Sequence, residues 1–267
     1  MARAITSSLA PIVEQLELDG DVIVTPGRIA EVLRSMGSNA DAKTIAYELQ
    51  RAGWLGSLRT RGAWEFLPGA RGGAYSSGDR FLEFRAQRHR DPNWPGVLAM
   101  ESAASLLGLA QRLPEREVVS LPAGVNLPKA FAGQWRSTSV VMPPEGCITV
   151  DRLPVWNREG LVTGIAASPA GYRDIPGLAQ WLGDGVHQVD INIVIILLKD
   201  FPRAVSQRAA YLLRAGGNSA ASSEVMKAYP PKEVAWFGKR TTGGKFDPHT
   251  RVHDTALRRY LSVGVGA

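Results

Sequence analysis

The sequence predicts an α+β protein in which a small helical domain closed by a β-hairpin precedes a larger mixed α/β domain. Residues 1–70 show amphipathic helix patterns separated by turn residues, and they end in two short strand patterns. A segment rich in glycine and serine follows at residues 69–78, as in linkers. Beyond it, strand patterns come first and helix patterns later, which is typical of an α+β domain.

Length and composition indicate a globular protein of about two domains. The chain has 267 residues, of which 45% are hydrophobic and 21% are charged. No apolar run approaches the roughly 18 to 20 residues that span a bilayer, and the N-terminus lacks the apolar core of a signal peptide. We therefore expect a cytoplasmic protein that makes no membrane contact. The single cysteine, Cys147, excludes an intrachain disulfide framework and a multi-cysteine zinc site.

Charge is distributed unevenly along the chain. Residues 201–267 contain 11 basic and 4 acidic side chains, whereas residues 1–70 contain 7 basic and 8 acidic ones. Basic patches attract polyanions by releasing counterions. A net charge of +6 also favours solubility alone, so charge by itself does not define the function.

The first two helices carry recognisable start and stop signals. The pattern at residues 4–18 predicts a helix that is kinked by Pro11 or begins only at residues 9–10. A short extended piece follows at residues 22–24. Thr25 is a favourable N-cap, and Pro26 suits the first helical position. Gly37 marks the end of this second helix.

A third helix is predicted over residues 40–52, a short turn after the second. Ser38 and Asp41 resemble a capping box at its start. Two helices joined by a short glycine-containing turn are the helix-turn-helix pattern, although a plain helical hairpin has the same signature. Residues 54–58 and 63–67 then form two strand patterns around the turn at residues 60–62. This order favours a winged helix-turn-helix domain over residues 1–70.

Side chains suited to DNA cover the outward face of the third helix and the hairpin tip. Polar groups on such a helix reach base edges in the major groove, and cations on a wing meet phosphates or the minor groove. We therefore predict double-stranded DNA as a partner. The predicted DNA-binding residues are Ser38, Asn39, Lys43, Thr44, Tyr47, Gln50, Arg51, Arg59 and Arg61.

The rest of the chain divides into a connecting segment and a C-terminal domain. Residues 71–90 are predicted to be a linker and a basic helix, whose arginines either contact DNA or form a solvated face; we favour the solvated face. Residues 91–267 form the second domain. Its predicted helix covers residues 97–109, and its predicted strands cover residues 118–121, 140–142, 148–150, 153–156 and 162–167. Helices or buried strands are predicted at residues 175–182, 191–198 and 205–215, and β-branched residues favour a strand for the second of these.

Catalytic motifs are absent from the sequence. It has no phosphate-binding loop and no nucleophile elbow. His249 and His253 are four residues apart and on a helix could share a metal, but the glutamate of the catalytic zinc motif is replaced by Thr250. We predict no enzyme activity, no catalytic residue, no metal and no cofactor.

Three stretches resemble one family. They are IAYELQRAGWLGSLRTRGAWEFLPGARGG (residues 45–73), WPGVLAMESAASLLGLAQRLPEREVVSLP (94–122) and RAAYLLRAGGNS (208–219). In the first, a helix ends in glycine and a strand pair leads to an aromatic residue and Leu-Pro. In the second, a small-residue helix precedes a short strand. These patterns resemble the AbiEi-type antitoxins, a type IV antitoxin and transcriptional regulator family, whereas residues 124–151 match no part of it.

The resemblance implies an autoregulating antitoxin. The N-terminal domain would bind operator DNA and repress its own gene, and the C-terminal domain at residues 91–267 would counteract a cognate nucleotidyltransferase-like toxin. The toxin's own signature, Gly-Ser followed by paired aspartates, is absent from this sequence. Two alternatives stay open: a stand-alone transcriptional regulator with a ligand-sensing C-terminal domain, and an enzyme with a winged-helix appendage.

The basic C-terminal region suggests a surface for that partner. Aromatic residues alternate there with cations, and such pairs anchor many interfaces. We predict that Trp236, Lys239 and Arg240 bind the toxin through electrostatic complementarity. An auxiliary nucleic-acid contact and a solvated helix end are the alternatives.

Overall fold

The protein divides into two compact units that do not follow the predicted boundaries. The structure is a computed structural model that describes residues 6–69, 76–241 and 243–261. The first unit comprises Met1–Trp94 and Pro128–Ala132, and the second comprises Pro95–Leu127 and Gly133–Ala267. The first unit extends beyond residue 70, the predicted end of the first domain. It also includes the basic helix that is predicted within residues 71–90. Most of the predicted linker, residues 70–75, lies outside the described residues.

The first unit contains helices and a small sheet. In chain order its elements are α1 (Ala10–Leu18), β1 (Ile23–Val24), α2 (Pro26–Ser35), α3 (Ala42–Arg51), β2 (Leu55–Ser57), β3 (Trp64–Phe66), α4 (Leu82–Arg90) and a 3-10 turn at Lys129–Phe131. The strands are antiparallel in the order β1-β3-β2. In the hairpin, Leu55 pairs with Phe66 and Ser57 pairs with Trp64. The three helices, the extended piece and the hairpin therefore occur in the predicted order.

The helix caps show which start signals the chain uses. The Thr25 hydroxyl accepts a hydrogen bond from the Arg28 amide at 3.2 Å, as predicted for α2. At α3 the cap is Asp41, whose carboxylate accepts from the Thr44 amide at 2.8 Å. The predicted capping box starting at Ser38 is therefore wrong, because Asp41 itself is the N-cap. Helix α3 begins at Ala42, two residues after the predicted start at residue 40.

The core of the first unit joins the helices to the hairpin. The buried apolar residues of the main cluster are Leu9, Ile12, Val13, Leu16, Val24, Ile29, Val32, Leu33, Ala46, Leu49, Trp54, Leu55 and Phe66. A second cluster brings Leu82 and Ala86 of α4 against Ile23 of β1 and Ala63, the residue before β3. Helix α4 is thus packed into this unit through an apolar face, with its arginines on other sides.

The second unit contains two sheets and the longer helices. Its elements are β4 (Val97–Leu98), α5 (Met100–Leu106), β5 (Glu117–Ser120), β6 (Trp135–Thr138), β7 (Cys147–Val150), β8 (Leu153–Trp156), α6 (Arg158–Ala167), α7 (Ile175–Gly185), α8 (Ile191–Leu198), α9 (Arg203–Ala215), α10 (Ser219–Ala228), β9 (Ala235–Phe237), β10 (Lys245–Asp247), β11 (Val252–Asp254) and α11 (Arg258–Leu261). One sheet has the order β6-β5-β4-β8-β7, with β6 parallel to β5 and β4 parallel to β8. The other has the order β10-β11-β9. The mixed α+β class that the sequence predicts is present.

Several predicted strands of the second unit are wrong. Residues 140–142 have no regular structure, and the strand of that region is β6. Residues 162–167 lie in helix α6, and residues 191–198 form helix α8. Caps explain both helices, because Asn157 accepts from the Gly160 amide at 2.7 Å and Asp190 accepts from the Asn192 amide at 2.9 Å. Helix initiation and packing override the β preference of the branched residues.

The predicted helix at residues 97–109 is also wrong in its first turn. Leu98 pairs with Val119 of β5 and Val155 of β8, and this makes residues 97–98 a strand inside the sheet. The chain then turns at Met100, the first residue of α5, whose φ of 48° is left-handed. An apolar run gives no period that would separate the two elements.

Helix α6 lies at the centre of the second unit. Its residues from Glu159 to Ala166 are all buried. Glycine permits this packing, because a Cβ at Gly164 would come within 2.3 Å of the Trp156 ring. No single helix within the described ranges is long and apolar enough to cross a membrane; α7 extended to Gln188 and α8 meet that test only together, with a bend of 110° between them.

Candidate nucleic-acid interface

Helix α3 separates its apolar and polar residues cleanly. Ala46 and Leu49 are buried in the core of the first unit. The exposed residues of the helix are Lys43, Thr44, Tyr47, Glu48 and Arg51. Residues four apart lie one above another on a helix, so Lys43, Tyr47 and Arg51 form one outward row. We call this row the α3 face.

Contacts toward the C-terminal end of α3 position part of the α3 face. Tyr47 is 61% exposed, and the Arg51 guanidinium carbon lies 5.8 Å from its ring centroid, within the range of a cation–π contact. Gln50 is half-buried, and its side-chain amide donates to the Ser57 hydroxyl at 2.7 Å. Gln50 therefore ties α3 to strand β2 and has less freedom to reach a ligand than the sequence predicts.

The turn before α3 contains the remaining predicted residues of this element. Ser38 and Asn39 are exposed, and the Ser38 hydroxyl accepts from the Ala40 amide at 3.3 Å. The Thr44 hydroxyl donates to the Asp41 carboxylate at 2.9 Å. The hydrogen bond from the Thr44 amide, reinforced by this hydroxyl, lowers the pKa of Asp41 below its ordinary value. Thr44 thus stabilises the helix start and retains an acceptor oxygen toward solvent.

The hairpin tip is fastened to helix α4. The Glu83 carboxylate accepts from the Arg59 amide at 2.7 Å, the Thr60 amide at 2.9 Å and the Thr60 hydroxyl at 2.7 Å. Thr60 is only 1% exposed in consequence. The sequence predicts a tip surrounded by solvent, whereas the structure shows a tip with one side packed on α4.

The two predicted cations of the hairpin share a cleft with two others. Arg59 and Arg61 are exposed, and one guanidinium nitrogen of Arg59 donates to the Ala132 carbonyl at 3.2 Å. An open cleft of about 540 Å³ brings both arginines together with Arg90 of α4 and with Lys129. None of these four cations forms an ion pair with any residue that the structure describes. We call this arrangement the basic cleft.

Sequence reasoning missed two of the four residues of the basic cleft. Arg90 belongs to the basic helix, for which the sequence favours a solvated face. Lys129 lies far from the hairpin along the chain and has no local signal. Its position becomes visible only when Pro128–Ala132 is found in the first unit.

The predicted partner-binding residues lie at the end of β9 and just beyond it in the second unit. Trp236 is half-buried, and its ring centroid lies 4.4 Å from that of His253 on β11. Lys239 and Arg240 are exposed, and the Lys239 carbonyl accepts from the Thr255 hydroxyl at 2.7 Å. Trp236 therefore packs against His253, which the sequence suggests only as a possible metal ligand. Lys239 and Arg240 remain at the surface.

The arrangement of titratable groups offers little to metal or thiol chemistry. His253 is on a strand and His249 precedes it in a turn, so they do not share a helix face. Across the described ranges, no group of three or more His, Cys, Asp or Glu side chains could hold a metal ion. Burial raises the pKa of the Cys147 thiol to about 11, so the reactive thiolate is scarce at neutral pH.

Comparison with known proteins agrees with the α+β class. Among solved structures, the chain is similar to the crystal structure of the Rv2827c protein from Mycobacterium tuberculosis. The TM-score is 0.79 at 26% sequence identity, and the match covers 98% of this chain and 96% of that chain. No protein-family model and no curated protein matches the sequence. The name of the mycobacterial protein states no activity, so the predicted resemblance to AbiEi-type antitoxins stays a prediction.

Proposed function

We propose that the first unit is a winged helix-turn-helix domain that binds operator DNA and represses the protein's own gene. The α3 face carries this proposal. It presents Lys43, Tyr47 and Arg51 outward on a helix whose other side is packed in the core, and a hairpin follows it directly. A helix of this kind enters the major groove, where bidentate and hydrogen-bonding side chains distinguish base pairs.

The acidic residues of the first unit do not contradict this proposal. Asp19 and Asp21, which precede α2, both pair with Arg28 of α2. The Glu17 carboxylate accepts from the Gly69 amide at 2.5 Å, and the buried Glu65 accepts from the Ser77 amide at 2.6 Å. Most carboxylates of this unit thus have internal partners, and the exposed Glu48 is the acidic residue of α3 itself. Lys43 and Arg51 form no ion pair within the described ranges, which leaves their charge available to phosphates or bases.

The second part of the proposal is that the protein is an antitoxin. It rests on the resemblance to AbiEi-type antitoxins and on one feature of the second unit. An open cleft of about 590 Å³ is lined by Lys245, Arg214 and Arg258 beside the exposed ring of Phe246, and by Asp247, which pairs with Arg214 at 3.5 Å. Cations around an exposed aromatic residue suit an acidic protein surface. Co-expression with the product of the neighbouring gene tests the idea: growth should be restored by the full chain, and toxicity that persists would contradict it.

Binding titrations test the DNA proposal. The wild type should bind a duplex from the region upstream of its own gene more tightly than a scrambled duplex, with affinity that falls steeply as salt rises. Replacing Lys43 or Arg51 with alanine should remove about 1 to 3 kcal/mol of the preference if the residue reads a base. Lys199→Ala is the matched control, because Lys199 is an exposed cation of the second unit. Equal wild-type affinity for the two duplexes would eliminate the specific-repressor proposal.

The alternative function, a regulator that senses a small ligand, has one supporting observation. A cleft of about 220 Å³ in the second unit is lined by four arginines and three carboxylates: Arg112, Arg116, Arg136, Arg173, Glu101, Glu115 and Asp174. Glu101 is buried, pairs with Arg136 and accepts from the Arg173 amide. The volume is below the roughly 300 to 1,000 Å³ of most ligand pockets, so only a small ligand fits, and the one arginine in excess over the carboxylates favours an anion. A rise in the melting temperature with inorganic phosphate, absent in Arg136→Gln, would support this alternative.

A further inference from the structure

We propose that the basic cleft is a second DNA contact, which binds backbone phosphates beside the segment read by the α3 face. The cleft contains Arg59 and Arg61 from the hairpin, Arg90 from α4 and Lys129 from the segment Pro128–Ala132. The inference rests on the proposed DNA-binding function and extends it. It assigns a nucleic-acid contact to two residues outside the helix-turn-helix segment, Arg90 and Lys129, which lie 24 and 63 positions beyond Phe66 at the end of the hairpin.

The cleft is built by contacts that leave its cations available. Both oxygens of the Glu83 carboxylate accept hydrogen bonds from the hairpin, one from the Arg59 amide and the other from the amide and hydroxyl of Thr60. These bonds fix the hairpin tip against α4 and hold the two arginines beside Arg90. Arg90 itself donates to the Gln87 side chain at 2.9 Å, and its guanidinium keeps further donors for a ligand.

An aromatic anchor positions Lys129. Phe131, two residues further along the chain, is fully buried, and its ring lies edge-on to Trp94 with the centroids 5.6 Å apart. Trp94 packs in the same way against Phe84 of α4, at 5.1 Å. Edge-to-face aromatic contacts add to the energy of burial. The anchor therefore holds Pro128–Ala132 in the first unit, although the residues on both sides of it belong to the second.

The chemistry of the cleft fits a polyanion. All four cations are exposed, and no carboxylate is among the residues that line the cleft. Guanidinium groups bind phosphate oxygens in a bidentate manner, and lysine contributes a mobile point charge. Duplex DNA carries one negative charge per roughly 1.7 Å of its axis, so several phosphates can reach such a cluster together.

Duplex DNA is favoured over a free anion because the cleft and the hairpin share residues. Arg59 and Arg61 are in the segment that directly follows α3 and β2, and Gln50 bonds α3 to β2. A duplex bound along the α3 face therefore continues past a hairpin whose tip forms one wall of the cleft. Contacts to phosphates at that point fix register and add affinity without reading sequence.

The salt dependence of binding tests the proposal. The full-length wild type and Arg90→Gln/Lys129→Gln are titrated with a duplex from the region upstream of its gene and with a scrambled duplex, over a series of salt concentrations. The double variant should bind both duplexes more weakly, and the slope of log affinity against log salt should shrink by about two. The preference for the upstream duplex should stay unchanged. Lys199→Gln/Lys227→Gln removes the same charge from exposed positions of the second unit and is the control.

The possible outcomes separate this inference from the proposed function. A wild type that binds neither duplex overturns both. A wild type that binds, with a double variant of unaltered slope and affinity, overturns the basic cleft alone. If the double variant melts at a lower temperature, Lys129→Gln is used by itself, because its side chain is exposed. Phosphate-ethylation interference gives an independent readout: the wild type should show sensitive phosphates that are absent with Lys129→Gln, and identical patterns would contradict the proposal.

Discussion

Two helices of equal length, α3 and α6, use their side chains in opposite ways. Each has ten residues. Helix α3 buries Ala46 and Leu49 and exposes polar groups on its opposite side. Helix α6 is buried from Glu159 to Ala166, and its one carboxylate in that stretch accepts from the Asp190 amide at 2.9 Å.

The difference separates residues that folding explains from residues that it does not. Every side chain of the buried α6 stretch is constrained by packing, and Glu159 has an internal partner. The row Lys43, Tyr47 and Arg51 makes few contacts within its own unit, and its members could be replaced with little effect on folding. Long polar side chains aligned on an exposed helix therefore call for an explanation outside the fold, and the proposed DNA contact supplies one.

The largest effect is expected from a methyl group added to α6. In Gly164→Ala, the new Cβ would lie 2.3 Å from the ring of Trp156, which is fully buried. Overpacking of this kind costs about 3 kcal/mol. The free energy of unfolding should fall by that amount in urea denaturation. Lys43→Ala and Arg51→Ala, on the α3 face, should leave it almost unchanged.

Gly183→Ala is the matched control for that substitution. Gly183 lies in α7, and a Cβ there meets no atom within 4 Å. Alanine restricts the unfolded chain more than glycine, so this variant should gain about 0.5 to 1 kcal/mol. If Gly183→Ala lowered the free energy of unfolding as much as Gly164→Ala does, the loss in Gly164→Ala would not be due to packing around α6.

Much of the first unit could be predicted from its sequence because its signals are local. Thr25 with Pro26 marks the start of α2, and the amphipathic period defines α3. The second unit was harder, because its strongest apolar run, now α8, has no period and consists of β-branched residues and leucines that fit either element. Its cap, Asp190, is a single polar residue before an apolar run, and such a signal is easily outweighed by propensity.

A smaller effect is expected at the link between the hairpin and α4. Glu83→Ala would leave the Arg59 amide and the buried Thr60 amide and hydroxyl without their acceptor. Unsatisfied buried donors cost about 1 to 3 kcal/mol, so the free energy of unfolding should fall by about 2 kcal/mol. Glu83→Gln keeps one acceptor oxygen and should fall between this variant and the wild type.

Hydrogen exchange provides the local readout for Glu83. In Glu83→Ala, the amides of Arg59 and Thr60 should exchange faster, whereas amides within α3 should keep their protection. Equal loss of protection in both places would mean that the hairpin and α3 open as one element. The hairpin would then be less independent of α3 than their separate contacts suggest.

The candidate site could be predicted only where its residues are close in sequence. The α3 face and the cations Arg59 and Arg61 follow from one helix and one turn. Arg90 was visible as part of a basic helix, but its direction depends on Leu82 and Ala86 packing against the sheet. Lys129 depends on Phe131 reaching Trp94, and no pattern in residues 124–131 indicates that contact.

The smallest effect concerns the cap that starts α3. Asp41 accepts from the amide and hydroxyl of Thr44, and the first of these bonds is the main cause of its lowered pKa. A carboxyl group whose pKa is lower in the folded state stabilises the fold above its unfolded pKa of about 3.9. That stability is lost as the pH falls through the folded pKa.

Asp41→Asn keeps an acceptor for the cap, but its amide does not titrate. The wild-type melting temperature should therefore fall more steeply than that of Asp41→Asn as the pH drops below about 4, and the two curves should run parallel near neutrality. Asp19, whose pKa is also lowered, is present in both proteins and cancels in the difference. Melting curves that stay parallel throughout the acid range would show that Asp41 does not support α3 through its charge.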